Sequence, residues 1–455
     1  MAKQPSDVPA ASPIPPQPIP STPPTATFPP VEDVNGASGA GSPAEEKVSS
    51  LYIWLQVLGQ FGVFVAFITP IAISLSIRLS ELAPGREEYL GYITGSGALV
   101  VMLTGPLLGT LSDRTRTRLG RRRPFMIVGM LLGVISLIVM ALAPNPIILG
   151  AGWILAQLGW GQVLGNLQIS MADRLPESQR GKVAGLTGFA TQIAPVFGVV
   201  IAGTLTGNSL LMFLLPGAVG VLFVTLFVFL IHEEDSRGRT FDEKLSVKNI
   251  LSKYVFNPRR YPDFSLVWLG RFLFYFGLTL NTTFTAFFFA SRLGVPVTEV
   301  APIIATLGLF GIFATTLGAI GGGFLSDKLR RRRVFVLTGA VLFAAGAITT
   351  ALAPDVTLLY VGSLTTSVGI GMFAAVDQAL LLDVLPEKDT SAGRFMSITG
   401  FAVSIPQAAA PFLAPVFLAI GATAAGDKNY TLLYIIAGAI TIVGGLVVLR
   451  VRSVR

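Results

Sequence analysis

The residues best placed to do chemistry in this chain are ionisable groups inside apolar stretches, where a charge is costly and is usually kept for a task. Arg271 stands about seven residues into one stretch, and Asp377 about five residues before the end of another. At those depths the two are expected to pair. A carboxylate so held can bind a proton or a polar substrate, or simply brace two helices. Asp173 and Asp383 close two further stretches. Amides and aromatics form a second set: Trp153, Gln157, Trp160 and Gln168 follow one another at steps of 4, 3 and 8 residues, one stripe of a helix. An indole can lie against the apolar face of a pyranose while amides bond its hydroxyls, which suits a largely apolar pocket with few placed polar groups. Gln56 and Gln60, one turn apart, and Arg271 with Tyr275 are expected to face the same cavity. Each glutamine has an alternative use in joining one membrane helix to another, and the tryptophans as packing or lipid-facing aromatics.

The elements that position these residues follow from composition. Apolar residues make up 52% of the chain and charged ones only 13%, against roughly 25% charge in soluble domains. The apolar residues fall in twelve runs, near 52–77, 89–111, 124–143, 146–170, 183–206, 209–231, 264–290, 300–325, 334–353, 357–382, 395–420 and 430–449. About 20 residues of helix cross a hydrocarbon core. The runs are too long, and too apolar on every face, for barrel strands. The expected fold class is an all-α membrane protein with twelve transmembrane helices.

Residues 1–48 hold 12 of the 30 prolines and no apolar run, and are expected to form a disordered cytoplasmic tail. The first span is then expected to serve as an uncleaved insertion signal. With both termini in the cytoplasm, 28 of the 33 Lys and Arg residues fall in cytoplasmic segments, the asymmetry that sets orientation in a membrane. The net charge of +8 is therefore mainly topology, and nucleic-acid binding is not expected.

The chain also repeats itself. Gly109-Thr-Leu-Ser-Asp113 recurs as Gly323-Phe-Leu-Ser-Asp327, each before a basic cluster, and Asp173-Arg-Leu-Pro-Glu177 recurs as Asp383-Val-Leu-Pro-Glu387. Two six-helix units in one orientation are characteristic of carriers whose halves rock about a central site. The expected organisation is a half at 49–231, a charged cytoplasmic linker at 232–262, and a second half at 263–455 ending in a short basic tail.

Gly109 to Asp113, continued through Arg114, Arg118, Gly120, Arg121, Arg122, Arg123, Pro124 and Phe125, resembles the signature loop of the major facilitator superfamily. Its extended form is similar to that of the branch holding the plant-type sucrose carriers and the glycoside-pentoside-hexuronide cation symporters. Gln60-Phe61-Gly62, Thr69-Pro70 and Ala172-Asp173 resemble the sucrose-carrier branch. The resemblance implies that the loop latches the two halves on the cytoplasmic side. Gly109, Asp113, Arg114, Arg118, Arg121, Gly323, Asp327 and Asp383 would form that gate, with Asp113 accepting from Arg114, Arg118 or Arg121. It also implies that Asp173 titrates during transport. The sodium-binding aspartates of melibiose-type symporters are replaced by Val101 and Gly105, and an arginine of the sucrose carriers by Gln168.

The sole histidine, His232, ends a run, and there are no cysteines, no phosphate-binding loop and no clustered metal ligands in the sequence. No enzyme, cofactor or metal site is expected. The leading expectation is a monomeric, multi-pass plasma-membrane symporter of a sugar or glycoside, coupled to protons through Asp173 or Asp377. A proton-driven exporter of hydrophobic compounds and a non-transporting sensor are the alternatives, since fold does not fix substrate.

Overall fold

The computed structural model describes residues 47–233, 235–237, 256–421 and 428–453, with the side chains of 388–392 left undescribed. The tail up to residue 46 and most of the expected linker lie outside the described residues. Among the described residues, twelve helices are long and apolar enough to span a membrane. They are α1 (Ser50–Leu82), α2 (Glu88–Asp113), α3 (Arg123–Ala141), α4 (Pro146–Arg174), α5 (Glu177–Gly203), α6 (Ser209–Leu230), α7 (Pro262–Thr283), α8 (Ala301–Leu329), α9 (Arg332–Leu352), α10 (Val356–Val384), α11 (Lys388–Ala419) and α12 (Tyr430–Val448).

Local chemistry sets where these helices start and bend. Asn145 and Asp355 occupy equivalent places before α4 and α10, and each side chain accepts an N–H of the first turn, which satisfies a donor the helix cannot. Asn208 and Asn429 do the same for α6 and α12. In α1, Pro70 has no N–H to give, and the chain widens into a π turn over Pro70–Ser74. The long run expected at 264–290 is broken instead at Phe284, after which a short helix covers Thr285–Leu293. Thr282, Thr283 and Thr285 there all turn back to bond carbonyls one turn earlier, which bends a helix.

The two halves repeat at the level of side chains. Arg78 donates to the carbonyl of Ala143 and reaches Ser209, and Arg292 donates to the carbonyl of Ala351 and to Thr431. Both arginines lie at the end of the bundle away from the Arg-rich loops, called here the far end. The Arg-rich end is the basic end.

At the far end the halves meet closely. A Cβ on Gly95 of α2 would come within 2.9 Å of the Ala408 carbonyl and of the Phe412 ring on α11. A Cβ on Gly203 of α5 would come within 2.8 Å of Ala301, and one on Gly308 of α8 within 2.8 Å of Val196. Small residues at such contacts let backbones approach. Along the same four helices toward the basic end, Gly105, Gly109, Gly181, Gly185, Gly321, Gly323, Gly393 and Gly400 have open space where a Cβ would stand. The halves are closed at the far end and apart at the basic end.

Candidate functional site

Just below the closed contact, α2, α4 and α11 enclose a cavity of about 360 Å³. Ala98, Val101, Met102 and Pro106 form its apolar wall, and Gln157, Ser397, Ser404 and Gln407 its polar groups, with Phe401 alongside. Both halves contribute, so the cavity sits where a rocking motion would change its access. Of the expected substrate residues, Gln157 alone lines this cavity.

The rest of the expected stripe is divided by packing. Trp160 is fully buried among α3 and α6, where Gly133 and Gly220 have given up side chains to its ring. It packs in the core of the first half and does not line this cavity. Trp153 is also buried, stacked on Phe67 at 5.7 Å and pressed against Gly97. Gln168 is exposed and does not line the cavity. Gln56 is buried and donates to the carbonyl of Leu167 at 2.8 Å, while Gln60 donates to the sulfur of Met171 at 3.9 Å. These two amides join α1 to α4, the alternative use of such residues, rather than facing the cavity. A helical wheel fixes which residues share a stripe but not which neighbour that stripe meets.

Arg271 and Asp377 do come together. The Arg271 Nε lies 3.1 Å from the Asp377 carboxylate, Asp377 is fully buried, and the Arg271 side chain is 11% exposed. The N–H is not aligned on the carboxylate, and both its oxygens lack a hydrogen-bond donor among the described residues. Arg271 instead donates to the Gln378 side chain at 3.0 Å. Tyr275 stands one turn along α7 beside the same guanidinium. A buried carboxylate facing a charge but not tied to it is well suited to exchanging a proton.

At the basic end the acidic residues are held within their own halves. Asp113 pairs with Arg122 at 2.6 Å and with Arg121 at 4.0 Å, and Asp173 with Arg121 at 2.6 Å and Arg122 at 3.5 Å. In the second half one arginine, Arg332, bridges Asp327 at 2.9 Å and Asp383 at 2.6 Å. Of the partners expected for Asp113, Arg121 stands at 4.0 Å and Arg118 is exposed, while Arg122, which was not among them, lies nearer at 2.6 Å. A run of arginines does not show in sequence which member turns inward. Gly120 makes that turn with φ +87° directly beneath the Glu233 carboxylate. Nearby, the Arg237 guanidinium beside Asp235 holds that carboxyl below its ordinary range.

The far end carries a contact that the sequence reading missed. Lys428 donates to Glu88 at 2.8 Å, joining the loop before α12 to the start of α2, and Arg86 holds the same carboxylate at 2.6 Å. The pair ties one half to the other only while the far end is shut. Partly exposed pairs of this kind contribute up to about 1 kcal/mol. Lys428→Glu is therefore expected to weaken the far-end-closed state up to about fivefold, read as faster labelling of a far-end cysteine. Adding Glu88→Lys should restore the original rate.

The Major Facilitator Superfamily model matches residues 50–321 and 267–455. The general alpha-glucoside permease of Schizosaccharomyces pombe is 36% identical over 115 residues, 23% of this chain and 19% of that protein. The galactose-proton symporter of Escherichia coli K12 is 34% identical over 77 residues, 17% of this chain and 16% of that protein. The chain thus spans under a fifth of the length of these curated relatives. Among solved structures, the nucleoside transporter NupG aligns with a TM-score of 0.67 at 13% identity, over 89% of this chain and 99% of that one. A bacterial homolog of the lysosomal transporter Spinster, in an inward-facing conformation, aligns at 0.63 and 18% identity, over 88% and 97%. At these identities the structural likeness speaks for the fold. With two six-helix halves repeated in one orientation, and a family model that takes in nearly every described helix, the chain belongs to the Major Facilitator Superfamily.

Proposed function

We propose that the chain is a secondary active transporter that moves a sugar or glycoside together with a proton by alternating access. The arrangement then corresponds to a state open to the cytoplasm, since the arginine-rich end faces inward by the distribution of basic residues. Both termini lie in the cytoplasm, the 232–262 segment tethers the halves, and the plasma membrane is the site of action. The observation that carries this reading is the cavity between the halves, where two amides and two hydroxyls face one another across an apolar wall. That wall and those groups suit a molecule with many hydroxyls and an apolar ring face. The names of the partial relatives, an alpha-glucoside permease and a galactose-proton symporter, support the same substrate class. Asp377 is the proton carrier in this account. Asp173, bound by Arg121 and Arg122, belongs with Asp113, Asp327 and Asp383 to the cytoplasmic gate.

The test is uptake of a panel of radiolabelled mono- and disaccharides by proteoliposomes under an imposed pH gradient. At least one sugar should accumulate above its external concentration. If none does while a hydrophobic dye is driven out, the protein is an exporter. Given a transported sugar, Gln157→Ala and Gln407→Ala should each raise its KM about tenfold, the loss of one or two hydrogen bonds. The maximal rate should change far less, because these amides hold ground state and transition state alike.

A further inference from the structure

The second half has at its basic end a cavity of about 1190 Å³, with the gate residues Asp327 and Asp383 in its wall and two arginines, Arg330 and Arg331, to which the proposed cycle gives no role. In the first half a carboxylate of the chain itself stands at the corresponding helix start, beside a smaller cavity of about 530 Å³. There, the Glu233 carboxylate accepts the backbone N–H groups of Arg122 and Arg123, at 3.0 and 3.1 Å, at the start of α3. An anion at that point answers both the unpaired N–H groups of a helix start and the surrounding arginines.

The repeat maps Arg122 and Arg123 onto Arg332 and Arg333. Arg332 bridges Asp327 and Asp383 just as Arg122 bridges Asp113 and Asp173. Arg333 donates to the carbonyl of Val451 after α12, as Arg123 does to that of Val228 in α6. The equivalence fails at one place: among the described residues no carboxylate stands at the start of α9 where Glu233 stands at the start of α3. Arg330 and Arg331 add two exposed guanidinium groups to the same cavity, and neither forms an ion pair among the described residues. Leu329, Val334 and Leu449 line it as well, and above them Phe324 and Leu325 on α8 are 65% and 45% exposed. The site is thus cationic at its base and apolar at its rim, at the level where the spans end.

We propose that this cavity binds the phosphate of an anionic phospholipid. Arg330 and Arg331 take the phosphate oxygens, a match of planar donors to a tetrahedral anion. The start of α9 supplies further N–H groups, and the acyl chains run along Leu329, Val334 and the exposed face of α8. In this way a lipid completes in the second half what Glu233 completes in the first. The inference needs the basic end to meet a leaflet surface, and does not need the cargo to be a sugar.

Native mass spectrometry of the full chain released from detergent tests it, with phosphatidylglycerol and phosphatidylcholine as probes. Wild type should retain phosphatidylglycerol in preference to phosphatidylcholine, and Arg330→Gln/Arg331→Gln should weaken that retention about thirtyfold, about fivefold for each cation. Arg259→Gln/Arg260→Gln removes the same charge from the basic end outside the cavity and should leave retention unchanged, which separates a site from diffuse attraction. Equal loss in both double variants, or none in the first, overturns the proposal. Inorganic phosphate at 10 mM supplies the remaining arm. If it displaces the lipid completely, the site is one for a soluble phosphate and the lipid assignment fails; persistence of the lipid supports it.

Discussion

Asp377→Asn is expected to abolish uphill accumulation of substrate, lowering it by an order of magnitude or more. The carboxylate is fully buried and its one ionic partner among the described residues, Arg271, lies 3.1 Å away and is itself nearly buried. Removing one member of such a pair leaves the other charge uncompensated, at a cost of about 3–5 kcal/mol. The single variant should therefore also yield less folded protein, and on its own would not separate bracing from coupling. The double variant Arg271→Gln/Asp377→Asn does. Taking away both charges is often neutral or better for stability, so folded yield by size-exclusion chromatography should return. In the coupling account the double variant lets substrate equilibrate in a counterflow assay but never accumulate it under a pH gradient. Accumulation restored to the wild-type level would show that the pair only holds α7 to α10.

Gly95→Leu is expected to reduce transport at least tenfold by a different route. A Cβ at this position would already stand 2.9 Å from the Ala408 carbonyl and the Phe412 ring, and backbone cannot move aside as a side chain can. Overpacking costs about 1–3 kcal/mol, and here the cost falls only on the state in which the far end is closed. The equilibrium should shift by about 5- to 150-fold toward a far-end-open state. The chain contains no cysteine, so spin labels can be placed freely. Labels on Thr204→Cys and Glu299→Cys, at the far ends of α5 and α8, should move apart in the Gly95→Leu background. An unchanged distance distribution with normal transport would mean that the contact is not part of the cycle.

Much of the architecture was legible in the chain because the bilayer imposes a simple rule: each span must be long, apolar and helical. All twelve runs correspond to helices among the described residues, with ends that differ by up to seven residues, the largest at the starts of α5 and α11, and with a break at Phe284. There the threonines that bend α7 carry no signal in hydropathy. The Arg271–Asp377 pair was legible for a related reason, since few charges lie inside the spans and their depths agree. The cavity was harder. Trp160 and Gln157 share a stripe, yet one fills the groove between α3 and α6 and the other faces α11. Side chains on a membrane helix meet protein, lipid or water, and all three faces are largely apolar. Ser397, Gly400, Ser404 and Gln407, at steps of 3, 4 and 3, did form a small and polar stripe on α11. That spacing is the signal the sequence carries for the cavity, and it is a weak one because small and hydroxyl residues at helical spacing also serve close helix packing. The Glu88–Lys428 contact joins residues 340 positions apart and had no signature in the sequence.

Proton movement driven by substrate tests the central claim most directly. Proteoliposomes holding a pH-sensitive dye, with no imposed gradient, should show acidification of the lumen when a transported sugar is added outside to wild type. The same vesicles made with Arg271→Gln/Asp377→Asn should show sugar entry and no acidification. Sugar entry without proton movement in wild type, or acidification that survives in the double variant, would contradict the account.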